Sequence, residues 1–154
     1  MNKTEKKIIL SGIKPTGKAH IGNYFGAIEP FVTLQNDGNE NFLFIVDYHA
    51  ITVPQEPAAL RKNILFAAAT YLAAGVDPEK TVLFQQSRVQ EHTELAWILN
   101  TVTPIGLLER AHAWKDSKNK EKKGETAGLF VYPVLMAADI LIYDSNSVPV
   151  GKDQ

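Results

Sequence analysis

The sequence has 154 residues, enough for one domain with a proper core, and 45% of them are hydrophobic, a globular proportion. Lys and Arg number 16 against 17 Asp and Glu, for a net charge of −1, which excludes a globally basic nucleic-acid-binding surface and confines any such contact to a local patch. Cysteine is absent, which excludes disulfides and cysteine-type zinc sites. No apolar run is long enough to cross a membrane, and the polar stretch 1–7 leads into the first strand with no room for a signal peptide, so the expected location is cytoplasmic.

The first apolar run, Ile8, Ile9 and Leu10, reads as a buried strand. Gly12, Pro15 and Gly17 then punctuate a loop. From about His20 the pattern turns helical, with Ile21, Phe25, Ile28 and Val32 predicted to form one face. Strand, Gly/Pro-rich loop and helix N-terminus in that order form an anion site, because free backbone N–H groups and the positive end of the helix dipole face the loop. Gly22 and Gly26 lie inside this helix, where glycine costs about 1 kcal/mol relative to alanine, and so predict close approach by a ligand or a neighbouring element. The spacing is neither that of a P-loop nor G-x-G-x-x-G.

Asn36 to Asn39 form a turn, and 41–47 is a continuous apolar run ending in Asp47, predicted to be a central parallel strand buried on both faces. The stretch from Asp47 to Ala50 then falls at that strand's C-terminal end, where open α/β sheets bind ligands. A helix over 58–74 follows, with Leu60, Ile64, Ala67 and Tyr71 inward and Gly75 where a C-cap belongs. The third strand is 81–85. The next helix, 91–103, turns Leu95, Ile98 or Leu99, and Val102 inward and ends before Pro104. The stretch 105–115 reads as further helix. The lysine-rich segment 116–125 reads as a solvated loop in preference to a phosphate-binding one.

The stretch 128–143 is an apolar helix carrying one acid. Tyr132, Met136 and Asp139 share a face at i, i+4 and i+7, so Asp139 is buried or beside a pocket and requires partners. A short strand over 147–150 and a loop over 151–154 complete the chain. Strands alternate with helices throughout, and the fold class is a doubly wound α/β parallel sheet in a single domain, 1–154.

Several of these stretches carry a family resemblance. His20-Ile21-Gly22-Asn23 resembles the HIGH nucleotide-binding motif of class I aminoacyl-tRNA synthetases, and the preceding Ser11-Gly12 with Pro15-Thr16-Gly17 resembles its tryptophanyl version. The run from Tyr132 to Tyr143 and the run from Val148 to Gln154 are close to the same family's patterns, as are 45–52 and the region of Leu108 and Arg110. The resemblance covers almost the whole chain and implies a truncated Rossmann-like catalytic domain.

By that resemblance, His20, Asn23 and Lys14 would serve catalysis. Lys14, Pro15, Thr16, Gly22, Asn23, Gly151, Lys152 and Asp153 would bind ATP. Lys14 stands where the family often has glutamine. Asp139 would accept the indole N–H of tryptophan, with Met136, His49, Tyr132, Gly12, Val148, Val150 and Gln154 lining the pocket. Indole N–H is a donor only, so a carboxylate is the fitting partner, and a phenylalanine side chain would leave it unpaired.

The implied reaction is attack of the tryptophan carboxylate on the α-phosphate of ATP, with Mg²⁺ accompanying the nucleotide. The implied partners are tRNA(Trp) and a second subunit in a homodimer. The family's Lys-Met-Ser-Lys-Ser loop and anticodon-binding domain have no counterpart in the sequence, which therefore resembles the N-terminal part of the catalytic domain. Alternatives are a non-catalytic tryptophan- or ATP-binding fragment, a tyrosyl-tRNA synthetase, or a small adenylyltransferase.

Overall fold

The computed structural model describes residues 6–17, 21–111, 114 and 126–149. Among them, three parallel strands form a sheet of order β1-β2-β3: β1 Ile8–Ile13, β2 Glu40–Ile45 and β3 Thr81–Gln85. The register pairs Leu10 with Phe42 and Gly12 with Phe44, then Phe42 with Val82 and Phe44 with Phe84. Beyond the free edge of β1, Ser147 makes a parallel bridge to Ile9, donating its N–H to the Ile8 carbonyl at 3.2 Å and accepting from the Leu10 N–H at 3.0 Å. The fourth strand predicted over 147–150 is thus a single bridge, with Val148 and Pro149 already outside the ladder.

Both faces of the sheet are covered, as a parallel sheet requires. Side chains alternate along a strand, so Ile9, Ile13, Leu43 and Ile45 point to one face, where they meet Ile28, Phe31, Ala67 and Tyr71. Leu10, Phe44 and Val46 point to the other and meet Phe84, Ile140 and Tyr143. The first face is closed by two helices, α1 over 21–35 and α3 Pro57–Ala73. The second is closed by α6 Ala127–Leu141, against which α4 Glu91–Val102 packs. Between β2 and α3 lies the single-turn α2, Asp47–Ala50, and α5 is the single turn Ile105–Leu108.

Local chemistry explains most boundaries. Helix α3 starts with Pro57 at its first turn and with the Glu56 carboxylate accepting the Ala59 N–H at 2.9 Å. It stops at Gly75, whose φ of +109° suits glycine. Its predicted inward face holds, with Ala67 and Tyr71 buried and Leu60 and Ile64 half-buried. Helix α6 is capped by Thr126, whose hydroxyl accepts the Leu129 N–H at 3.1 Å.

Two helix faces differ from the periodic reading. Helix α1 is α-helical over Ile21–Asn23, π-helical over Tyr24–Ile28 and α-helical again over Glu29–Gln35. Pro30 lies just beyond the π-turn. Its ring would crowd the Gly26 carbonyl in a regular α-turn, and the wider turn instead joins the Glu29 N–H to Tyr24 O. The extra residue shifts the phase, so Ile28 and Phe31 are buried while Ile21 and Phe25 are 71% and 63% exposed. A Cβ at Gly26 would meet nothing within 4 Å, so no described neighbour makes the close approach its position predicted. In α4 the inward face is His92, Leu95, Ala96 and Leu99, whereas Ile98 and Val102 are exposed. The helix predicted over 105–115 is interrupted: Glu109 and Arg110 form a turn after α5, Ala111 is non-helical, and Trp114 is helical again. The segment 116–125 lies outside the described residues.

Gly12 is part of β1 and not of the loop after it. A Cβ there would lie 2.9 Å from Val46 Cγ1, too close for a β-branched neighbour to yield cheaply. Gly12→Ala is expected to cost about 1–3 kcal/mol of stability, the usual penalty of overpacking. In a Val46→Ala background the cost should fall to less than half of that, which paired urea unfolding curves would measure. An equal cost in both backgrounds would rule out this contact as the cause.

Candidate functional site

The carboxyl ends of the strands carry the short segments that build the site. After β2, α2 presents His49. After β3, a 3₁₀ turn over Gln86–Arg88 presents Gln86. Buried Asp47 fixes the relation between the two segments, its Oδ1 accepting the Ser87 N–H at 3.0 Å and its Oδ2 accepting Gln85 Nε2 at 2.7 Å. The Gln86 side chain is oriented from the other end, since its Oε1 accepts the Tyr48 N–H at 3.1 Å.

These segments surround Asp139 on α6. Asp139 is 3% exposed, beside the fully buried Ala138. Three side chains donate to it. His49 Nε2–H reaches Oδ2 at 2.7 Å, and His92 Nδ1–H reaches Oδ1 at 2.6 Å. Gln86 Nε2 donates to both oxygens, at 2.8 and 3.0 Å. An ionised carboxylate only accepts, so each imidazole must turn a protonated nitrogen toward it. Burial alone would push the Asp139 pKa up. The hydrogen bonds from His49 and His92, the charge of His49 and the Gln86 amide outweigh burial and hold the carboxyl below the usual carboxylate range.

A second layer stands behind this one. Tyr143 O–H donates to His92 Nε2 at 2.9 Å. Burial first, then the negative charges of Asp139 and Glu91, push the Tyr143 phenol up to about 12, so it remains a donor. The His92 ring lies between Phe44, at 5.5 Å, and Tyr143, also at 5.5 Å.

The predicted amino-acid-pocket residues are partly gathered here. Tyr132 meets His49 edge-on with ring centroids 6.1 Å apart. Met136, one turn before Asp139, is 49% exposed, on the open side of α6. Val148 is half-buried just after the Ser147 bridge. The predicted nucleotide residues gather elsewhere, around a cavity of about 230 Å³ between the loop after β1, the start of α1 and α3. Gly12, Lys14, Thr16 and Asn23 line it together with Phe66 and Tyr71. Gly12, assigned to the amino-acid pocket by resemblance, thus shares a wall with the nucleotide group. Pro15 is fully buried and Gly22 is exposed at the first turn of α1. His20, Val150, Gly151, Lys152, Asp153 and Gln154 lie outside the described residues. A larger hollow of about 530 Å³ lies at the amino ends of β2 and β3, away from every candidate residue.

Gln86, His92 and Tyr143 were not singled out by the sequence. One signal was available for Gln86, a polar residue directly after a strand that ends at the binding edge of the sheet.

A family model described as class I tRNA synthetases (W and Y) matches residues 1–154, the whole chain. The chain belongs to this family. A tryptophan--tRNA ligase of Rhodopirellula baltica is 59% identical over 146 residues, covering 95% of this chain and 45% of the relative. Tryptophanyl-tRNA synthetase of Campylobacter jejuni superimposes with a TM-score of 0.90 at 51% identity, over 97% of this chain and 46% of that one. A second structure of the Campylobacter enzyme, complexed with ADP and tryptophan, gives a TM-score of 0.89 at 52% identity, over 96% of this chain and 46% of that one. The chain therefore spans about 45% of the length of the synthetases it matches.

The depressed Asp139 pKa has a testable consequence for this synthetase domain. A carboxyl with a folded value below its unfolded value contributes stability that is fully present above the unfolded value, about 3.9, and is lost as pH falls through the folded one. Asp139→Asn is expected to be less stable than the parent at pH 7. Its stability should also fall less steeply than the parent's as pH drops from about 5 toward 3. Urea unfolding at half-unit pH steps would measure both slopes, and parallel slopes would overturn the assignment.

Proposed function

We propose that this chain carries the amino-acid-activating site of a tryptophan--tRNA ligase, joining the carboxylate of tryptophan to the α-phosphate of ATP with release of pyrophosphate. The observation that carries this reading is the buried, ionised Asp139 on the helix that also presents Tyr132 and Met136. Such a carboxylate matches an indole N–H, which donates and does not accept. The Campylobacter relative complexed with ADP and tryptophan supports both ligands.

In this reading His49, Tyr132, Met136, Gly12 and Val148 line the indole pocket, together with Val150 and Gln154. Lys14, Pro15, Thr16, Gly22 and Asn23 take the phosphates and His20 contacts them, while Gly151, Lys152 and Asp153 hold the nucleoside. The cavity lined by Lys14, Thr16 and Asn23 supports the phosphate group of residues. Among the described residues no group of three His, Cys, Asp or Glu side chains could hold a metal. A Mg²⁺ ion accompanying the nucleotide would be held mainly by the phosphates and would neutralise their charge. Catalysis rests on positioning and charge stabilisation, with no covalent enzyme intermediate.

The reading extends to transfer onto tRNA(Trp), a cytoplasmic location where that partner resides, and a homodimer. Among the described residues no helix is long and apolar enough to cross a membrane. The exposed apolar side chains Trp97, Ile98, Val102 and Ile105 support a subunit contact.

Tryptophan-dependent exchange of labelled pyrophosphate into ATP tests the reaction. The chain is expected to support slow exchange with tryptophan and none with phenylalanine. Exchange that ignores the amino acid supplied would refute the reading.

The two subsites are expected to separate under substitution. Asp139→Ala should weaken tryptophan binding at least tenfold, on the order of one buried charge-assisted hydrogen bond, while ADP binding stays within about twofold. Gly22→Val should do the reverse by blocking backbone approach at the helix start. Calorimetry on both variants with both ligands decides, and a variant that lost both ligands together would argue against two separable subsites.

A further inference from the structure

The Asp139 carboxylate has two unlike oxygens. Oδ1 is enclosed, since its partners His92 and Gln86 are both 0% exposed. Oδ2 faces His49, whose side chain keeps 13% exposure, on α2 at the open end of the sheet and edge-on to Tyr132. A ligand therefore reaches the carboxylate from the Oδ2 side, and the enclosed side has a different task. We propose that His92 is a positioning residue for amino-acid specificity: its Nδ1–H on Oδ1, anchored through Nε2 by the Tyr143 hydroxyl, keeps Asp139 a fixed, unprotonated acceptor with Oδ2 turned to the indole N–H. This rests on the amino-acid-site reading given above.

The physical logic is one of occupancy. A carboxylate that cannot fill its buried oxygen with a donor lowers its free energy in one of two ways. It takes up a proton, or it rotates to share the donors on the other side. Either response spoils Oδ2 as an acceptor, the first by reducing its charge and the second by moving it. His92 prevents both with a bond of 2.6 Å. Gln86 alone does not suffice, because its single amide group is divided between the two oxygens at 2.8 and 3.0 Å. The ring itself cannot rotate away. Tyr143 O–H holds its far nitrogen at 2.9 Å, and Phe44 and Phe84 lie 5.5 and 6.1 Å from it. The groups facing Oδ1 and the ring are thus Gln86 from the turn after β3, Tyr143 beyond α6, and the two phenylalanines from β2 and β3. None of them supplies a second full donor to Oδ1.

The test compares tryptophan with the analogue that has sulfur in place of the indole N–H, 3-(benzothiophen-3-yl)alanine. The two side chains have nearly the same shape, and only one donates. Calorimetry on the whole chain reads the affinity ratio, tryptophan over analogue, for the parent and for three variants. His92→Asn keeps an amide N–H near the Nδ1 position. His92→Gln carries its amide out toward the Nε2 position and withdraws the donor from Oδ1. His92→Leu removes the donor outright.

The parent is expected to prefer tryptophan at least tenfold, on the order of one hydrogen bond to a charged acceptor. His92→Asn should stay within about threefold of that preference, while in His92→Gln and His92→Leu the ratio falls toward one. Loss of affinity for both ligands in equal measure, with the parent's ratio kept, would mean that His92 only supports the fold and would overturn the proposal. Equal ratios in His92→Asn and His92→Gln would overturn it as well, and this pair decides the matter if His92→Leu does not fold. A parent chain with no preference would overturn the placement of the indole N–H on Asp139, and the proposal with it.

Discussion

A negative charge that is 3% exposed cannot persist without donors, and most of what is distinctive in this molecule follows from supplying them to Asp139. Three side chains from three segments meet that need, and two of them are themselves held in place. Gln86 is fixed by the Tyr48 backbone, His92 by Tyr143, and the turn bearing Gln86 by Asp47. The hydrogen bonds do more than offset burial, because the carboxyl ends below its ordinary range. That surplus makes the group a dependable acceptor at neutral pH and not a proton carrier.

The sheet supplies the geometry for this arrangement. With all strands parallel, the segments that leave β2 and β3 emerge at the same end, and the helix bearing Asp139 lies across the face next to them. The two clusters of apolar side chains serve the two faces unequally. Ile9, Leu43, Phe31 and Tyr71 bind α1 and α3 to one side as ordinary core. On the other side Phe44 and Phe84 both fill the core and pack together against the His92 ring, so packing and site are made of the same residues.

The fold was largely legible in the sequence because its signals are local. The apolar run 81–85 is bounded by turn residues and appears as β3 with the same limits. Gly75 stops α3 through a backbone angle that its neighbours in sequence announce. Helix faces were less legible, since a single π-turn before Pro30 moved Ile21 and Phe25 off the core side without changing their spacing. The site divided in the same way. Asp139 and His49 stood out, one as a lone acid in an apolar helix and the other at a strand's end. His92 and Tyr143 did not, because a histidine at the head of a helix and a tyrosine after one say nothing of each other until the chain brings them to 2.9 Å. Residues 18–20 and 150–154, which hold several of the motif residues, lie outside the described part of the chain.

The partners of Asp139 lie 90, 53 and 47 positions before it in the chain. During synthesis His49, Gln86 and His92 are all made before their acceptor exists, and of the three only Gln86 has a bond within the earlier part of the chain, from the Tyr48 N–H to its Oε1. Docking of α6 is then the step that both closes the second face and neutralises the site. Contacts of such long sequence separation carry the entropy cost of closing long loops. The network around Asp139 is thereby complete only with α6 in place: the three strands lie before that helix in the chain, and the donors at their carboxyl end share an acceptor that comes after all of them.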